Sequence, residues 1–360
     1  MRFSFDSFFP LPKLLDLPAV GLDVSDESIK MIELRYHKGD IRLGQYADVP
    51  IPTGAIITGQ IKRPDDFVSA LTTIRKRYNI LRANVSLPEE QTYVTNVRAA
   101  YSPGVDLRGE IELHLDEYVP LAPEETEFDF EVVTQSDSSI DCAVVALPRA
   151  TVSAYLSAFK QAGIVPMAFE IEAQAAARSL IGQDDSGTIM TVDFGKARTG
   201  IAIISDHKVM FSATLAFGGR SNTNIVMQME KLDEAKAEEL KRVSGLSRAG
   251  GHEELYSMLL SHISVLRDEI SKYMTFWQTH KEGDENNPRP IERIILAGGE
   301  SNLLGLSDYL AATLGVRVVT GNPWVNAFSF EDYVPPIDAP NALRYATAIG
   351  LALRAHTRLY

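Results

Sequence analysis

The sequence predicts an α/β protein with two similar lobes and a cleft between them. A β-meander that begins at Ala19 is repeated by a second meander that begins at Thr188. Each meander opens with an apolar strand that ends in an aspartate, Asp23 in the first and Asp193 in the second. A third apolar strand, residues 294–297, runs through two glycines toward a helix. Such strands interleaved with amphipathic helices indicate two duplicated α/β lobes.

The elements of the first half follow from the spacing of apolar residues. A strand pair is predicted from Ala19 to Leu34, followed by a third strand near Arg42 to Val49. Residues 65–79 have apolar side chains at helical spacing behind Pro64, which predicts an amphipathic helix that covers a sheet. A further strand is expected at Val85 to Pro88.

The character of the sequence changes between residues 89 and 163, where charged and proline-punctuated stretches indicate an inserted subdomain. We expect a helix from Leu107 to Tyr118, strands near Phe128 to Thr134 and Asp141 to Leu147, and a helix from Arg149 to Ala162. The sequence leaves two roles open for this insertion, a structural addition or a partner-specific surface.

The second half repeats the plan of the first. Strands are predicted at Thr188 to Asp193, Thr199 to Ser205 and Lys208 to Thr214. Residues 222–280 are expected to be helical, and residues 282–290 form a loop rich in Gly, Asn and Pro. The helical region has an apolar stripe that is typical of a packed core rather than a cofactor site, formed by Leu255, Leu259, Leu266, Ile270, Tyr273 and Trp277.

Composition excludes several classes of protein. At 360 residues the chain is long enough for two or more domains, and 45% hydrophobic residues suffice for their cores. A net charge of −13 argues against a general nucleic-acid binder. The single cysteine, Cys142, excludes an internal disulfide and is expected to be a buried structural thiol. The absence of a disulfide framework makes a reducing cytoplasm the expected location. No apolar run reaches the roughly 18 residues of a membrane helix.

Residues 1–18 are rich in aromatic side chains but contain Asp6 and two prolines in their first twelve positions, which does not match a signal peptide. Two interpretations stay open for this tail. It packs on its own domain, or it docks on a membrane surface or a partner.

Three glycine-containing turns predict a site for a nucleotide and its magnesium ion. Glycines let backbone N–H groups approach phosphates closely, and Mg²⁺ prefers carboxylate oxygens together with water. Asp23 and Asp193 are the candidate metal ligands, and Lys30 supplies a positive charge for phosphate. The other candidate binding residues of the three turns are Gly21, Ser25, Ser28, Gly195, Lys196, Thr199, Gly298, Gly299, Glu300 and Ser301.

Three further charged residues have both a structural and a functional interpretation. Glu172 lies where a strand becomes an alanine-rich helix, and a helix N-terminus favours a carboxylate electrostatically. In a closed nucleotide cleft, Glu172 is also the candidate catalytic residue that orients an attacking water. Glu238 and Lys241, on a charged helix, are candidates for contact with the nucleotide base, with a solvated surface as the alternative.

These elements, in this order, resemble the actin-like ATPase superfamily. Over nearly its whole length the chain is similar to the PilM family of type IV pilus assembly, and more distantly to FtsA. The residues that carry the resemblance are 21–25, 172–173, 193–195, 297–301 and 346–350. The resemblance implies an actin-like (ribonuclease H-like) duplicated fold around an ATP cleft, with Asp23 and Asp193 beside Mg²⁺, Lys30 on phosphate and Glu172 at the catalytic water.

The implied domain organisation has five parts. Residues 1–18 are the tail, 19–88, 164–187 and 341–360 the first lobe, 89–163 the inserted partner-binding subdomain, 188–221 and 291–340 the second lobe, and 222–290 its helical subdomain.

The resemblance also implies a function and partners. We expect an ATP-binding cytoplasmic scaffold of type IV pilus or related secretion assembly, with at most slow ATPase activity. It would bind the cytoplasmic N-terminal peptide of a PilN-like inner-membrane protein in a groove involving the insertion, and so lie at the inner membrane. Contacts with other pilus assembly proteins and self-association are also expected. The alternatives are an FtsA-like polymerising ATPase and a small-molecule kinase of the same superfamily.

Two turns depart from the pattern of the superfamily. Ser25 stands where a glycine is usual, and the second hairpin carries the bulky cations Lys196 and Arg198. Positive charge favours phosphate binding, but contacts made already in the ground state do not accelerate chemistry. The sequence therefore favours tight binding over fast turnover.

Overall fold

A computed structural model describes residues 19–37, 39–102, 104, 106–248, 253–279 and 289–355. The predicted N-terminal tail and most of the predicted loop at 282–290 lie outside these residues. In the described ranges, no helix is long and apolar enough to cross a membrane.

The first half of the chain contains ten strands and five α-helices among the described residues. In chain order they are β1 (Ala19–Val24), β2 (Ser28–His37), β3 (Asp40–Pro50), β4 (Ile56–Ile57), β5 (Gln60–Ile61), α1 (Pro64–Tyr78), β6 (Arg82–Leu87), β7 (Tyr93–Ala100), α2 (Leu107–Leu113), α3 (Leu115–Tyr118), β8 (Thr126–Gln135), β9 (Ser139–Pro148), α4 (Arg149–Ala162), β10 (Val165–Ile171) and α5 (Glu172–Leu180).

The second half continues with a matching meander and a set of helices. In chain order its elements are β11 (Thr188–Phe194), β12 (Thr199–Ser205), β13 (Lys208–Leu215), α6 (Gly219–Glu230), α7 (Glu234–Ser244), α8 (Glu253–Thr279), β14 (Ile291–Ala297), α9 (Leu306–Leu314), β15 (Arg317–Thr320), α10 (Ala339–Ala342) and α11 (Ala346–Leu353).

The two lobes are built on five-stranded sheets of the same design. Their strand orders are β10-β6-β1-β2-β3 and β13-β12-β11-β14-β15. In each sheet an antiparallel meander of three strands is extended by two parallel strands. The predicted duplication is therefore confirmed.

Strand register places the candidate site residues at one edge of each sheet. Asp23 on β1 pairs with Lys30 on β2. Asp193 on β11 pairs with Gly200 on β12 and, in parallel, with Ala297 on β14. Parallel strands end at the same edge of a sheet, so the turn after Ala297 opens beside the aspartate that closes β11.

Helix α11 is buried along its whole length between the first sheet and α5. A Cβ atom on Gly21 would clash with the carbonyl oxygen of Ala348, and one on Gly350 would clash with that of Ala175. The side chain of Asn84 donates to the carbonyl oxygen of Leu351 at 2.9 Å. The glycines thus permit close packing of backbone on backbone.

The inserted subdomain has a three-stranded sheet in the order β7-β9-β8, with its own apolar core. Strand β7 was missed, and the predicted helix of residues 107–118 is two helices joined at His114. Cys142 is fully buried in this core, as expected. Helix α4, which follows β9 of the insertion, packs on α1 in the first lobe, where Phe67 contacts Tyr155 and Phe159.

The predicted apolar stripe of α8 lies in the cores of the second lobe. Leu255, Leu259, Leu266 and Ile270 are buried there, and Tyr273 and Trp277 pack partly buried against the same core. The prediction of core packing is confirmed.

Candidate functional site

A cleft of about 970 Å³ lies between the lobes and is lined by residues of both sheets. Its size is at the upper end of the usual range for small-molecule sites. It brings together twelve predicted site residues: Asp23, Ser25, Ser28, Lys30, Glu172, Asp193, Gly195, Lys196, Glu238, Gly298, Gly299 and Glu300.

The first hairpin presents a buried aspartate with two partners. The side chain of Asp23 accepts hydrogen bonds from Lys30 Nζ and from Ser86 Oγ, each at 3.2 Å. Burial lowers the pKa of Lys30, but the charges of Asp23, Asp48 and Asp193 outweigh it and hold this pKa above its ordinary value. Lys30 is therefore a fixed positive charge at the floor of the cleft.

The turn of this hairpin is closed by serine rather than glycine. Ser25 N and Oγ both donate to the carbonyl oxygen of Ser28 at 3.0 Å, and Ser25 Oγ accepts from Ser28 N at 3.2 Å. The hydroxyl of Ser25 thus performs a local turn-closing role, which explains how a non-glycine residue fits there.

The second hairpin holds Asp193 on the opposite wall. Burial and the nearby charge of Asp23 raise the pKa of Asp193 to about 6, despite the opposing charges of Lys30 and Arg198. Gly298 has a positive φ of 85°, and a Cβ atom there would clash with the Asp193 carboxylate. Glycine is therefore required where the third turn passes this aspartate.

Arg198, in the same hairpin, reaches across the cleft to two carboxylates that come just after strands of the first sheet, Glu90 beyond β6 and Glu172 beyond β10. Its guanidinium donates to Glu172 Oε1 at 2.6 Å and to Glu90 Oε1. Burial lowers its pKa, but Glu172 and Glu90 outweigh this and keep it above its ordinary value. Burial also raises the pKa of both carboxyl groups, that of Glu172 strongly.

A buried lysine forms the core of a charge cluster at the other end of the cleft. Lys241 Nζ lies 2.8 Å from Glu300 Oε2 and 2.9 Å from Glu238 Oε2. It also donates to Thr223 Oγ1 at 2.9 Å. Its side chain is only 4% exposed, so the alternative of a solvated surface was wrong for Lys241. Glu300 packs across Gly219, where any Cβ atom would clash with it.

Four predicted binding residues do not line the cleft. Gly21 is used to pack α11 against β1. The hydroxyls of Thr199 and Ser301 are buried and donate to the carbonyl oxygens of Phe217 and Ala297. Lys241 lies behind Glu238 and Glu300, which do line the cleft, and positions them.

Several residues of the lining were missed. Glu89 and Glu90 line the cleft and come just after β6, behind Pro88. Ser86, within β6, is fully buried and donates to Asp23 rather than lining the cleft. Since β6 runs parallel to β1, its carboxyl end lies at the same edge as Asp23. That topological rule could have found Glu89 and Glu90. The sequence identified Arg198 only as a departure from the superfamily pattern and did not predict its ion pairs with Glu90 and Glu172.

The donor set fits magnesium held through phosphates. Among the described residues, no group of three or more His, Cys, Asp or Glu side chains is arranged to hold a metal by itself. Asp23 and Asp193 nevertheless lie close together, because both of their charges raise the pKa of Lys30 and the charge of Asp23 raises the pKa of Asp193. Mg²⁺ is commonly bound by one or two carboxylates together with waters and substrate phosphates, and these two aspartates meet that requirement.

The family model described as type IV pilus assembly protein PilM matches residues 21–356. This is nearly the whole chain, and it agrees with the family indicated by the sequence motifs.

Solved structures show the same fold. The PilM–PilN type IV pilus biogenesis complex contains a chain that is 22% identical, with a TM-score of 0.76 over 94% of this chain and 98% of that one. The ethanolamine utilisation protein EutJ from Carboxydothermus hydrogenoformans is 16% identical, with a TM-score of 0.53 over 96% of this chain and 91% of that one. MreB5 of Spiroplasma citri bound to AMPPNP is 13% identical, with a TM-score of 0.54 over 93% of this chain and 95% of that one. The predicted actin-like fold is confirmed.

Proposed function

Since the chain belongs to the PilM family of type IV pilus assembly proteins, we propose that it binds MgATP in the cleft between its lobes and acts as a nucleotide-dependent scaffold. The observation that carries this proposal is the meeting of two aspartates and one lysine from the two lobes. Asp23, Asp193 and Lys30 all line the cleft, and the charges of both aspartates act on the lysine. This is a suitable environment for a metal-bound polyphosphate.

In this proposal the two hairpins hold the phosphates from opposite sides. Asp23 and Asp193 hold Mg²⁺, while Lys30 and the backbone N–H groups near Gly195 face the phosphate oxygens. The exposed Lys196, which pairs with Glu234 at 2.7 Å, adds positive charge at the rim. Magnesium supplies charge neutralisation of the phosphates when it is bound.

The nucleoside would lie along the third turn. Gly298 and Gly299 leave room for close approach of a ligand to the backbone. Glu238 and Glu300 are held in place by the buried Lys241. Carboxylates that are ion-paired with a buried lysine keep their orientation, so these two are suited to accept hydrogen bonds from hydroxyl or amino groups.

Glu172 is the candidate that orients water for hydrolysis. Its carboxylate is bound by Arg198, and burial raises its pKa well above the ordinary range. Because burial favours the protonated form of Glu172 even when Arg198 is engaged elsewhere, this carboxyl group is a poor acceptor for a water proton. We therefore propose slow turnover, with nucleotide occupancy rather than hydrolysis as the signal.

We further propose a PilN-like inner-membrane protein as the partner, with its cytoplasmic N-terminal peptide bound in a groove involving the insertion. The support is membership of the PilM family and the likeness to the PilM–PilN complex. The insertion contacts the second lobe, where Asn96 on β7 donates to the carbonyl oxygen of Met210 on β13. A change in lobe position could thereby alter the surface that the insertion presents. The proposed location is the cytoplasmic face of the inner membrane.

The test of the binding site is a calorimetric titration of MgATP into the full chain. Asp193→Ala is expected to raise the Kd about tenfold or more, since it removes one of two metal carboxylates. Asp308→Ala, an exposed aspartate on the outer helix α9, is the matched control and should leave the Kd unchanged. Equal MgATP affinity of the wild type and Asp193→Ala would contradict the metal role.

A further inference from the structure

We propose that Arg198 binds the terminal phosphate of the nucleotide, and that Glu90 and Glu172 occupy its guanidinium until the nucleotide arrives. This inference rests on the proposed MgATP site and adds a ligand-binding residue to it. It also assigns the two glutamates a role as competitors for the arginine.

The first support is where Arg198 lies and what it contacts. It belongs to the hairpin that follows β11 in the second lobe, and it lines the cleft. Its partners Glu90 and Glu172 come just after β6 and β10 of the first sheet and line the same cleft. The ion pairs therefore cross the space in which the phosphates would lie.

The second support is chemical equivalence. The planar guanidinium of arginine binds carboxylate and phosphate with the same pair of parallel N–H donors. A guanidinium that holds two carboxylate oxygens in the proposed nucleotide cleft can therefore hold phosphate oxygens instead. The neighbouring cation of the hairpin is not equivalent, because Lys196 is half-exposed and pairs at the rim with Glu234.

The third support concerns the carboxylates that the arginine would leave behind. Removing one partner of a buried ion pair is normally costly because a bare charge remains. Here burial already raises the pKa of both carboxyl groups, and nearby carboxylates add to this effect: Asp26 for Glu90, and Asp23, Glu90 and Glu89 for Glu172. Both groups can take up a proton when the guanidinium moves away, which avoids two unpaired buried charges.

The contact with Glu172 identifies which phosphate is involved. Glu172 is the candidate for orienting the water that attacks the terminal phosphate, and its Oε1 lies 2.6 Å from the Arg198 guanidinium. Arg198 is therefore at the terminal-phosphate end of the ligand. ADP, which lacks that phosphate, should depend much less on this residue.

The test compares the MgATP and MgADP affinities of the full chain by calorimetry. Arg198→Ala should raise the Kd for MgATP about tenfold or more and that for MgADP less than about threefold. Arg198→Lys, which keeps the charge but loses the planar fork, should give an intermediate loss for MgATP. Arg289→Ala is the control, because Arg289 forms an exposed pair with Asp206 at 2.9 Å.

A second variant tests the competition directly. Glu90→Gln removes one carboxylate that holds the guanidinium, so MgATP should bind about threefold or more tightly than to the wild type. Equal losses for MgATP and MgADP in Arg198→Ala, or no gain in Glu90→Gln, would overturn the inference and leave the MgATP site intact. A wild-type chain that binds no MgATP would instead overturn the proposed function itself.

Discussion

Replacing Asp193 with asparagine should stabilise the nucleotide-free protein while weakening its MgATP site. The wild-type carboxyl has a pKa of about 6, against an ordinary value of 3.8. A group whose pKa is higher in the folded state binds more protons there than in the unfolded chain. Wild-type stability therefore falls as the pH rises from about 4 to about 6, and the full cost is present above that window.

The size of this cost follows from the same two values. A difference of one pKa unit corresponds to about 1.4 kcal/mol, so the ionised Asp193 destabilises the folded protein by about 3 kcal/mol at pH 8. Asp193→Asn removes the charge with little change of shape. The expected gain in unfolding free energy is about 1 to 3 kcal/mol at pH 8, since the new amide also needs a hydrogen-bond partner.

The assay is urea unfolding without nucleotide, followed by the fluorescence of Trp277 and Trp324, at pH 8 and at pH 5. The urea midpoint of Asp193→Asn should exceed that of the wild type at pH 8, and the gain should shrink by about half at pH 5. Asp308→Asn serves as the control. A lower midpoint for Asp193→Asn at pH 8, or a gain that does not change with pH, would refute the reasoning.

Two further predictions concern turnover and the partner. Glu172→Gln should leave MgATP affinity at or above the wild-type level. It should reduce any hydrolysis, measured as phosphate release, about a hundredfold. Undiminished hydrolysis would show that Glu172 is not the catalytic residue. A synthetic peptide of the cytoplasmic N-terminus of a PilN-like protein should bind the full chain in fluorescence anisotropy with an affinity that differs between MgATP and no nucleotide. Equal peptide affinities with and without MgATP would contradict coupling between the partner site and the nucleotide cleft.

Much of the fold was predictable because the apolar pattern within each strand is visible in the local sequence. The two meanders were located almost to the residue, since β12 spans Thr199–Ser205 as expected and α1 begins one residue before its predicted start. The predictions of β12 and α1 both depend on the spacing of apolar residues and on residues that end a strand or helix. Strand β7 was missed because Thr95, Asn96 and Arg98 interrupt its apolar character, and its pairing with β9 is a tertiary effect.

The site was predictable where a motif residue lies at the end of a strand. It was less predictable where tertiary packing determines what a residue contacts. Asp23, Asp193 and Gly298 all line the cleft, because strand order brings those ends together. Gly21 belongs to the same motif, yet its missing side chain serves helix packing. The burial of Lys241 and the reach of Arg198 to Glu90 depend on how distant segments pack. Local sequence contains no signal for such contacts.

The most direct test of the central claim is a single-turnover incubation of the purified full chain with labelled MgATP, following bound ATP and bound ADP over time. The account predicts that one nucleotide per chain is retained and that it stays ATP through the time in which an efficient ATPase would complete many cycles. A chain that retains no nucleotide would contradict the proposed cleft function. Prompt conversion of the bound ATP to ADP would contradict the proposal that occupancy rather than hydrolysis is the signal.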